Sequence, residues 1–317
     1  MTESSTDNYR LEWLTSFLSV VNYGGFAAAA EHMYRSQPRI SSHVADLERR
    51  LGAVLFDRRE RPVRLTEAGV AFLEHARRAL ADLEAGEASV QAVIGVLRGK
   101  VALGCHPSAG AAFLPDLLQA FADAYPQVDV RLREGTAADL LIDLQTGEAD
   151  LAIRPALPAP RSGAVMHHDL WEEPIVAVVP TGHPIAGLEY VSLSEVAEYP
   201  IITIGDLRRD LDDPNEIVRS MMAAGVTPNV AFHTNEPQTL IALARKGLGV
   251  GLTNLLATSV CDIDGVGVVP IQESGSRRIV GVYWDSSHSM QPATRALIDV
   301  IAQLPAPKAV RQYQRRA

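Results

Sequence analysis

The chain has 317 residues, two cysteines and a formal net charge of −9. This length suits a small domain followed by a larger one of two lobes. Two cysteines without a CxxC spacing exclude a disulfide framework and a cysteine-based zinc site. Because no apolar run approaches the roughly 18 residues of a membrane span, we expect a cytoplasmic protein with no membrane partner. We also expect no metal and no cofactor.

Three helices joined by short turns are predicted over residues 9–51. The second, from Ala27 to Met33, is rich in alanine, whose small side chain allows tight packing. The first and third helices each carry one apolar face at helical spacing. These faces are formed by Leu11, Leu14, Phe17, Leu18 and Val21 in the first helix, and by Ile40, Val44, Leu47 and Leu51 in the third.

The third helix has a well-marked beginning and a polar outer face. Ser36 is predicted to cap it, and Pro38 falls in the first turn, where the missing backbone donor costs no hydrogen bond. The outward residues are small or polar and permit close approach to another molecule. The pattern therefore indicates a helix-turn-helix unit. The residues that point away from the apolar face or flank it are Pro38, Arg39, Ser41, Ser42, Ala45 and Asp46.

An arginine-rich hairpin follows the third helix. Six arginines lie within residues 49–64, against only Asp57 and Glu60, so the local field is positive although the whole chain is acidic. Arginines surround Pro62 and precede Leu65, which predicts a two-stranded wing lying along DNA phosphates. The alternative interpretation is a solvated charged loop.

Residues 66–97 contain no proline and are predicted to form one continuous helix. A heptad seam along it indicates pairing with a second copy. Packing on its own domain is the alternative. The seam consists of Phe72, Ala76, Ala79, Leu83, Gly86, Val90, Val93 and Leu97.

From residue 98 strands and helices alternate, which predicts parallel sheets with right-handed crossovers in two lobes. A basic tail after Pro305 and Pro307 is expected to be mobile. The predicted strands are 101–105, 128–134, 150–153, 174–179, 201–205, 230–234, 250–254, 266–271 and 278–284; the helices are 111–125, 137–147, 192–198, 216–225, 238–247 and 292–304.

A ligand cleft is expected where the carboxyl ends of the parallel strands meet. Hydroxyls and helix N-termini there suit a carboxylate or another small anion, although loop hydroxyls often only cap helices. Arg154 is a candidate anion partner, with a structural salt bridge as the alternative. The other candidate effector-binding residues are His106, Ser108, Ala109, Thr136, Thr203, Asn235 and Glu236.

Enzymatic motifs are absent from the sequence. It contains no GxSxG, HExxH or GxxxxGK[ST] segment. Lys246 to Gly251 resembles a phosphate loop only loosely and fits a helix C-cap followed by a strand. The adjacent His167 and His168, with Asp169, lack a third ligand at metal spacing and are expected to face solvent. We therefore predict that the protein is not an enzyme.

Three blocks carry a family resemblance: SQPRIS at 36–41, LERRLGAVLFDR at 47–58 and LTEAG at 65–69. With their spacing, the chain resembles the LysR-type transcriptional regulators. Weaker similarity continues through GEADLAI at 147–153, EEPIVAVVPTGH at 172–183 and GLGVG at 247–251. Gly25 departs from the serine usual before the second helix, and a slightly weaker helix start is expected.

The resemblance implies an α/β protein with an N-terminal winged helix-turn-helix domain (9–66), a linker helix for dimerisation (67–97) and a two-lobed effector domain (98–317) similar to periplasmic binding proteins. Lobe I would comprise 98–161 and 269–317, and lobe II 162–268, with crossovers near 161–164 and 266–270. Gly163, with Gly265 or Gly267, could serve as hinges or as ordinary flexible loops.

The implied partners are double-stranded DNA, a small-molecule effector, a second copy in a homodimer or homotetramer, and RNA polymerase if the protein is an activator. Effector contact is carried over to Ser108, Thr136 and Thr203. The alternative function is a small-molecule-binding or catalytic α/β protein with a helical appendage. The residues expected to bind DNA are Ser36, Gln37, Pro38, Arg39, Ser41, Ser42, His43, Arg58, Arg61 and Arg64.

Overall fold

A computed structural model describes residues 9–59, 62–93, 97–205, 216–287 and 289–315. The chain divides into an N-terminal unit and an α/β unit that begins at Leu97. In the described residues no helix is both long and apolar enough to cross a membrane.

The N-terminal unit is built from three helices, a hairpin and a long helix. Phe17, Ile40, Val44, Leu47 and Phe56 are buried in one apolar core. The periodicity predicted for the third helix is thus confirmed. The elements are α1 (Leu11–Tyr23), α2 (Phe26–His32), α3 (Gln37–Leu51), β1 (Phe56–Asp57), β2 (Arg64–Leu65) and α4 (Glu67–Val93), with β1 antiparallel to β2.

The start of α3 differs from its prediction in one detail. Ser36 occupies the N-cap position with extended backbone, but its side chain makes no capping hydrogen bond. Pro38 lies in the first turn as expected, and Gly52 ends the helix with a φ of 69°. A glycine suits this left-handed end because it has no Cβ to clash.

The second unit alternates strands with helices as predicted. It adds three helices that the sequence pattern did not indicate: α10 (Leu255–Ser259), a short 3-10 turn (Pro184–Gly187), and α12 (Lys308–Gln314). The helices are α5 (Pro107–Ala124), α6 (Ala137–Thr146), α7 (Leu193–Val196), α8 (Glu216–Ala223), α9 (Pro237–Arg245), α10 (Leu255–Ser259), α11 (Pro292–Gln303) and α12 (Lys308–Gln314). The strands are β3 (Gly99–Cys105), β4 (Val128–Glu134), β5 (Leu151–Pro155), β6 (Val165–Pro180), β7 (Ile201–Ile204), β8 (Val230–Thr234), β9 (Val250–Asn254), β10 (Val266–Pro270) and β11 (Arg277–Asp285).

These strands run in the order β4-β3-β5-β11-β6-β9-β7-β8, with β10 also paired to β6. The predicted parallel pairing is present: β3 is parallel to β4 and β5, and β7 is parallel to β8 and β9. Strands β6, β10 and β11 pair antiparallel. We call lobe I the sheet formed by β4, β3, β5, β11 and the first part of β6, together with helices α5, α6, α11 and α12. Lobe II comprises the other strands of this unit and their helices.

The crossovers do not lie where the sequence placed them. Strand β6 is continuous and pairs with β11 up to Pro174 and with β9 from Ile175, so the first crossing lies inside a strand and not at 161–164. Strand β10 lies wholly in lobe II, and the return crossing follows Pro270. The expected lobe boundaries at 161/162 and 268/269 shift accordingly, because residues 165–173 form part of the lobe I sheet.

The prediction of a mobile C-terminal tail is also wrong. Residues 308–314 form α12, and Val310 is fully buried in the apolar core of lobe I. Ala309 and Val310, adjacent in the sequence and followed by polar neighbours, gave too weak a periodic signal to predict this helix.

Candidate nucleic-acid interface and ligand cleft

The outer side of α3 is open to solvent. Gln37, Pro38, Arg39 and Ser42 are exposed, as is Ser36 just before the helix. Ser41, on the flank, is half-buried. Arg39 lies 4.0 Å from Glu12 in an exposed ion pair, which solvent screens strongly. The helix therefore presents a row of small and polar groups that a duplex could approach.

The inner side of α3 is fixed to α1 by a polar contact as well as by the core. His43 Nδ1 lies 2.8 Å from the hydroxyl oxygen of Ser16, a residue with no exposed surface. His43 is half-buried, and this ring nitrogen is directed toward α1. This contact makes His43 suited to holding the helix at a defined angle, which its place in the sequence did not reveal.

The hairpin has the two-stranded form predicted for a wing, and Arg58 beside it contacts two neighbouring side chains. Arg58 Nη2 contacts Glu48 Oε2 at 3.2 Å, and its guanidinium lies 4.8 Å from the centre of the Phe26 ring. Arg64 is exposed on β2. Arg61, also predicted to bind DNA, lies outside the described residues.

In lobe I, hydrogen bonds join the residues that follow β3 and β4 to neighbouring strands. The amide of His106 donates to the Ile153 carbonyl at 2.9 Å, and that of Gly135 donates to the Cys105 carbonyl at 3.4 Å. In lobe II, the amide of Gly205 donates to the Thr234 carbonyl at 3.0 Å. Each lobe therefore gathers its loops at the carboxyl ends of its parallel strands, as the topology requires.

Two of the candidate hydroxyls are engaged in local structure. Thr136 forms a capping box at the start of α6: its hydroxyl donates to Asp139 Oδ2 at 2.7 Å and accepts from the Asp139 amide at 3.2 Å. Thr203 is buried and donates to the Gly205 carbonyl at 3.1 Å. This matches the capping and turn roles that were the alternative for loop hydroxyls.

The charged candidates have structural partners too. Arg154 is fully buried, donates to the Pro158 carbonyl, and lies with its guanidinium 4.9 Å from the centre of the Tyr283 ring. Asn235 and Glu236 are exposed just before α9, and Glu236 accepts a 3.2 Å hydrogen bond from Gln238. Arg154 is thus held by groups of its own domain and is not exposed to solvent.

The first turn of α5 is buried beside the expected cleft. Ser108 and Ala109 are buried there, and His106 Nδ1 lies 3.2 Å from the Ser108 hydroxyl oxygen. Burial, helped by the charges of Arg278 and Arg154, lowers the pKa of His106 to about 3. The ring is therefore neutral, and Ser108 can donate its hydroxyl hydrogen to it.

Sequence reasoning missed a buried ion pair beside this turn. Arg278 Nη2 contacts Glu173 Oε1 at 2.6 Å and also donates to the Ser108 hydroxyl oxygen at 3.0 Å. The available signal was a charge of each sign at the edge of an otherwise apolar strand, PIVAVV in one case and IVGVYW in the other. Buried charges are rare unless paired, so two such charges could have been matched.

A second buried carboxyl belongs to this region. Glu216, at the start of α8, accepts from the Leu157 amide at 3.4 Å. Burial raises the pKa of Glu216, and the positive charge of Arg278 opposes that rise.

Within the described residues no group of histidine, cysteine and carboxylate side chains is arranged to hold a metal ion.

Comparison with protein families identifies the architecture. A model described as the LysR substrate binding domain matches residues 95–306, and one described as a bacterial regulatory helix-turn-helix protein of the lysR family matches residues 11–70. The chain belongs to the LysR family. It is a LysR-type transcriptional regulator with a DNA-binding helix-turn-helix domain and a substrate-binding domain, so the predicted family, fold class and non-enzymatic function are confirmed.

Relatives of LysR type match over nearly their whole length. The transcriptional regulator XapR of Escherichia coli (strain K12) is 28% identical over 296 residues, which is 93% of this chain and 97% of that protein. The solved structure of HinK, a LysR family regulator from Pseudomonas aeruginosa, is 27% identical with a TM-score of 0.56, covering 93% and 98% of the two chains. Full-length OxyR from Pseudomonas aeruginosa has a TM-score of 0.77 at 22% identity over 96% and 97% of the chains, which shows the fold alone.

Proposed function

We propose that α3 enters the major groove of duplex DNA and that the β1–β2 hairpin contacts the adjoining phosphates. The observation that carries this proposal is the exposed row Ser36, Gln37, Pro38, Arg39 and Ser42 beside an arginine-rich wing. In this assignment Gln37, Arg39, Ser41 and Ser42 read base edges. Arg58, Arg61 and Arg64 bind phosphates, and His43 holds the angle of α3 through Ser16.

The protein acts as a homodimer, or as a homotetramer of two dimers, in the cytoplasm. Two-fold symmetric operators need two readers about one helical turn apart, or a multiple of it. Helix α4 provides the pairing element, because the predicted seam continues through the exposed Ala79, Leu83 and Gly86, beyond Ala76, which packs into the core of the N-terminal domain.

The second domain binds a small carboxylate or similar anion in the cleft at the first turn of α5. Ser108 and Ala109 lie at this turn, and the helix dipole favours negative charge there. His106, Thr136, Arg154, Thr203, Asn235 and Glu236 line or shape the surrounding loops. Effector binding changes the arrangement of the lobes and hence the spacing of the two DNA readers. Where the protein activates transcription, it contacts RNA polymerase.

The proposal is tested by measuring affinity for duplex DNA over a range of salt concentrations. Log affinity is expected to fall linearly with log salt, by about 0.9 for each phosphate contact. A domain that is only a helical appendage would show weak binding with a flat salt response, and that result would reject the proposal.

A further inference from the structure

The ion pair between Arg278 and Glu173 lies where the two lobes join. The two residues face each other directly in the register of β11 and β6, and their side chains are 5% and 0% exposed. Two residues after Glu173, β6 leaves the lobe I sheet and begins to pair with β9 at Ile175. The pair therefore occupies the crossing strand itself.

The same pair holds groups from both lobes. Arg278 Nη2 donates to the Ser108 hydroxyl oxygen, in the first turn of α5, and to Asn254 Oδ1, at the end of β9, at 2.9 Å. Glu173 Oε2 accepts from the amide of Leu256, at 2.6 Å. Because one guanidinium nitrogen serves an acceptor in each lobe, a change in the angle between the lobes would lengthen at least one of these bonds.

Stability alone is a poor reason for a charge pair at this position. Removing two charges from water is costly, and replacing a buried pair by apolar side chains of similar volume is often neutral or stabilising. A buried pair that has three further partners does, however, define one geometry, since each partner left unsatisfied would carry a desolvation cost.

We propose that Arg278, fixed by Glu173, is a positioning residue that sets the arrangement of the two lobes and holds the Ser108 hydroxyl toward the cleft. The role of Ser108 in binding an effector rests on the proposed function. The setting of the lobe arrangement does not, because it follows from contacts within the effector domain.

The chain offers a matched control on the same two strands. Arg277 Nε lies 3.3 Å from Glu172 Oε1, one residue away from the buried pair, and both side chains are exposed to more than two-fifths, at 43% and 45%. The test variant is Arg278→Met with Glu173→Leu, and the control is Arg277→Met with Glu172→Leu. Arg278→Lys serves as a second test, because it keeps the charge but replaces the two donor nitrogens of the planar guanidinium, Nε and Nη2, by a single ammonium nitrogen.

The measurement is the distance between spin labels on the two lobes of the full-length protein. Labels are placed at Leu188→Cys in lobe II and Asp299→Cys on α11, both exposed positions, with Cys261→Ser to remove the half-buried native thiol. Labelled protein is mixed with excess unlabelled protein, so that only distances within one chain are recorded. Thermal unfolding and DNA affinity are measured on the same samples.

We expect one narrow distance distribution for the wild type and the control, and a broader or shifted one for both test variants. If the pair only stabilises the fold, its removal would lower the melting temperature and leave the distance distribution unchanged. That outcome would overturn the proposal. Equal broadening in the control would overturn it too. If the wild type fails to bind DNA, the proposed function fails while the distance result still decides this inference.

Discussion

Glu48, near the end of α3, connects this helix to the β1–β2 hairpin through Arg58. One carboxylate oxygen of Glu48 lies 3.2 Å from Arg58 Nη2, and the other accepts a 2.8 Å hydrogen bond from the Leu55 amide. The Glu48 side chain is only 12% exposed. A single carboxylate therefore fixes the start of the hairpin relative to the helix that it follows.

Replacing Glu48 by alanine is expected to destabilise the N-terminal domain. The half-buried Leu55 amide loses its acceptor, which costs about 1–3 kcal/mol, whereas the exposed Arg58 adds little. Urea unfolding of the full chain measures the change. The control is Asp46→Ala, which removes only the exposed pair with Arg49 and is expected to cost less than about 0.5 kcal/mol. Equal losses in the two variants would show that Glu48 has no special role.

Gly69, in the first turn of α4, is required by close packing against the hairpin. A Cβ there would lie 2.1 Å from the Leu55 carbonyl oxygen and 2.9 Å from Leu65 Cδ2. We expect Gly69→Ala to cost about 1–3 kcal/mol in unfolding free energy. Gly25→Ala, in the same domain but outside the predicted seam and with no atom within 4 Å of the new Cβ, should cost less than about 1 kcal/mol. A stabilising Gly69→Ala would contradict the packing described.

His106 is expected to make the effector domain less stable in acid. Its pKa falls from 6.5 to about 3 on folding, so between these values the unfolded chain binds a proton that the native chain does not. Above pH 6.5 the contribution of His106 to the unfolding free energy does not change with pH. Below pH 6.5 the unfolding free energy falls, by at most about 1.4 kcal/mol per pH unit. His106→Asn should flatten the pH dependence of the unfolding free energy. Parallel curves for wild type and variant would rule out this linkage.

The sequence predicted what depends on local periodicity. The apolar spacing of Ile40, Val44 and Leu47 placed α3 and its buried face correctly, and all three are fully buried. Strands β8 and β9 have the predicted limits, because each short run rich in β-branched and apolar residues is bounded by residues typical of turns and helix starts.

It did not predict what depends on contacts distant in the chain. Strand β6 is sixteen residues long, and its first half, with His167, His168 and Asp169, shows no apolar run or clean alternation. Arg278 and Glu173 are 105 positions apart, so only the fold brings them together. Thr136 was correctly located in a loop and Thr203 in a strand, but whether such a hydroxyl faces a ligand or a group of its own chain is decided by geometry that no spacing encodes.

Gln37 and Arg64 should have separable effects on DNA binding. Gln37→Ala is expected to lose about 1–3 kcal/mol on the specific operator and almost nothing on random duplex, because Gln37 would read a base edge. Arg64→Ala should weaken both duplexes alike and reduce the salt slope by about 0.9. Fluorescence anisotropy with both duplexes at several salt concentrations measures these changes. Equal losses on both duplexes for Gln37→Ala would refute its assigned role.

The most direct test of groove entry by α3 is DNA cleavage from a reagent attached to that helix. An iron chelate is coupled to Ser42→Cys in a Cys261→Ser background, with Asp299→Cys as the control site. The account predicts that cuts from residue 42 cluster in two half-sites about one helical turn, or a multiple of it, apart, with no cuts from residue 299. Operator that is bound but left uncut from residue 42, or cut equally from both sites, would contradict it.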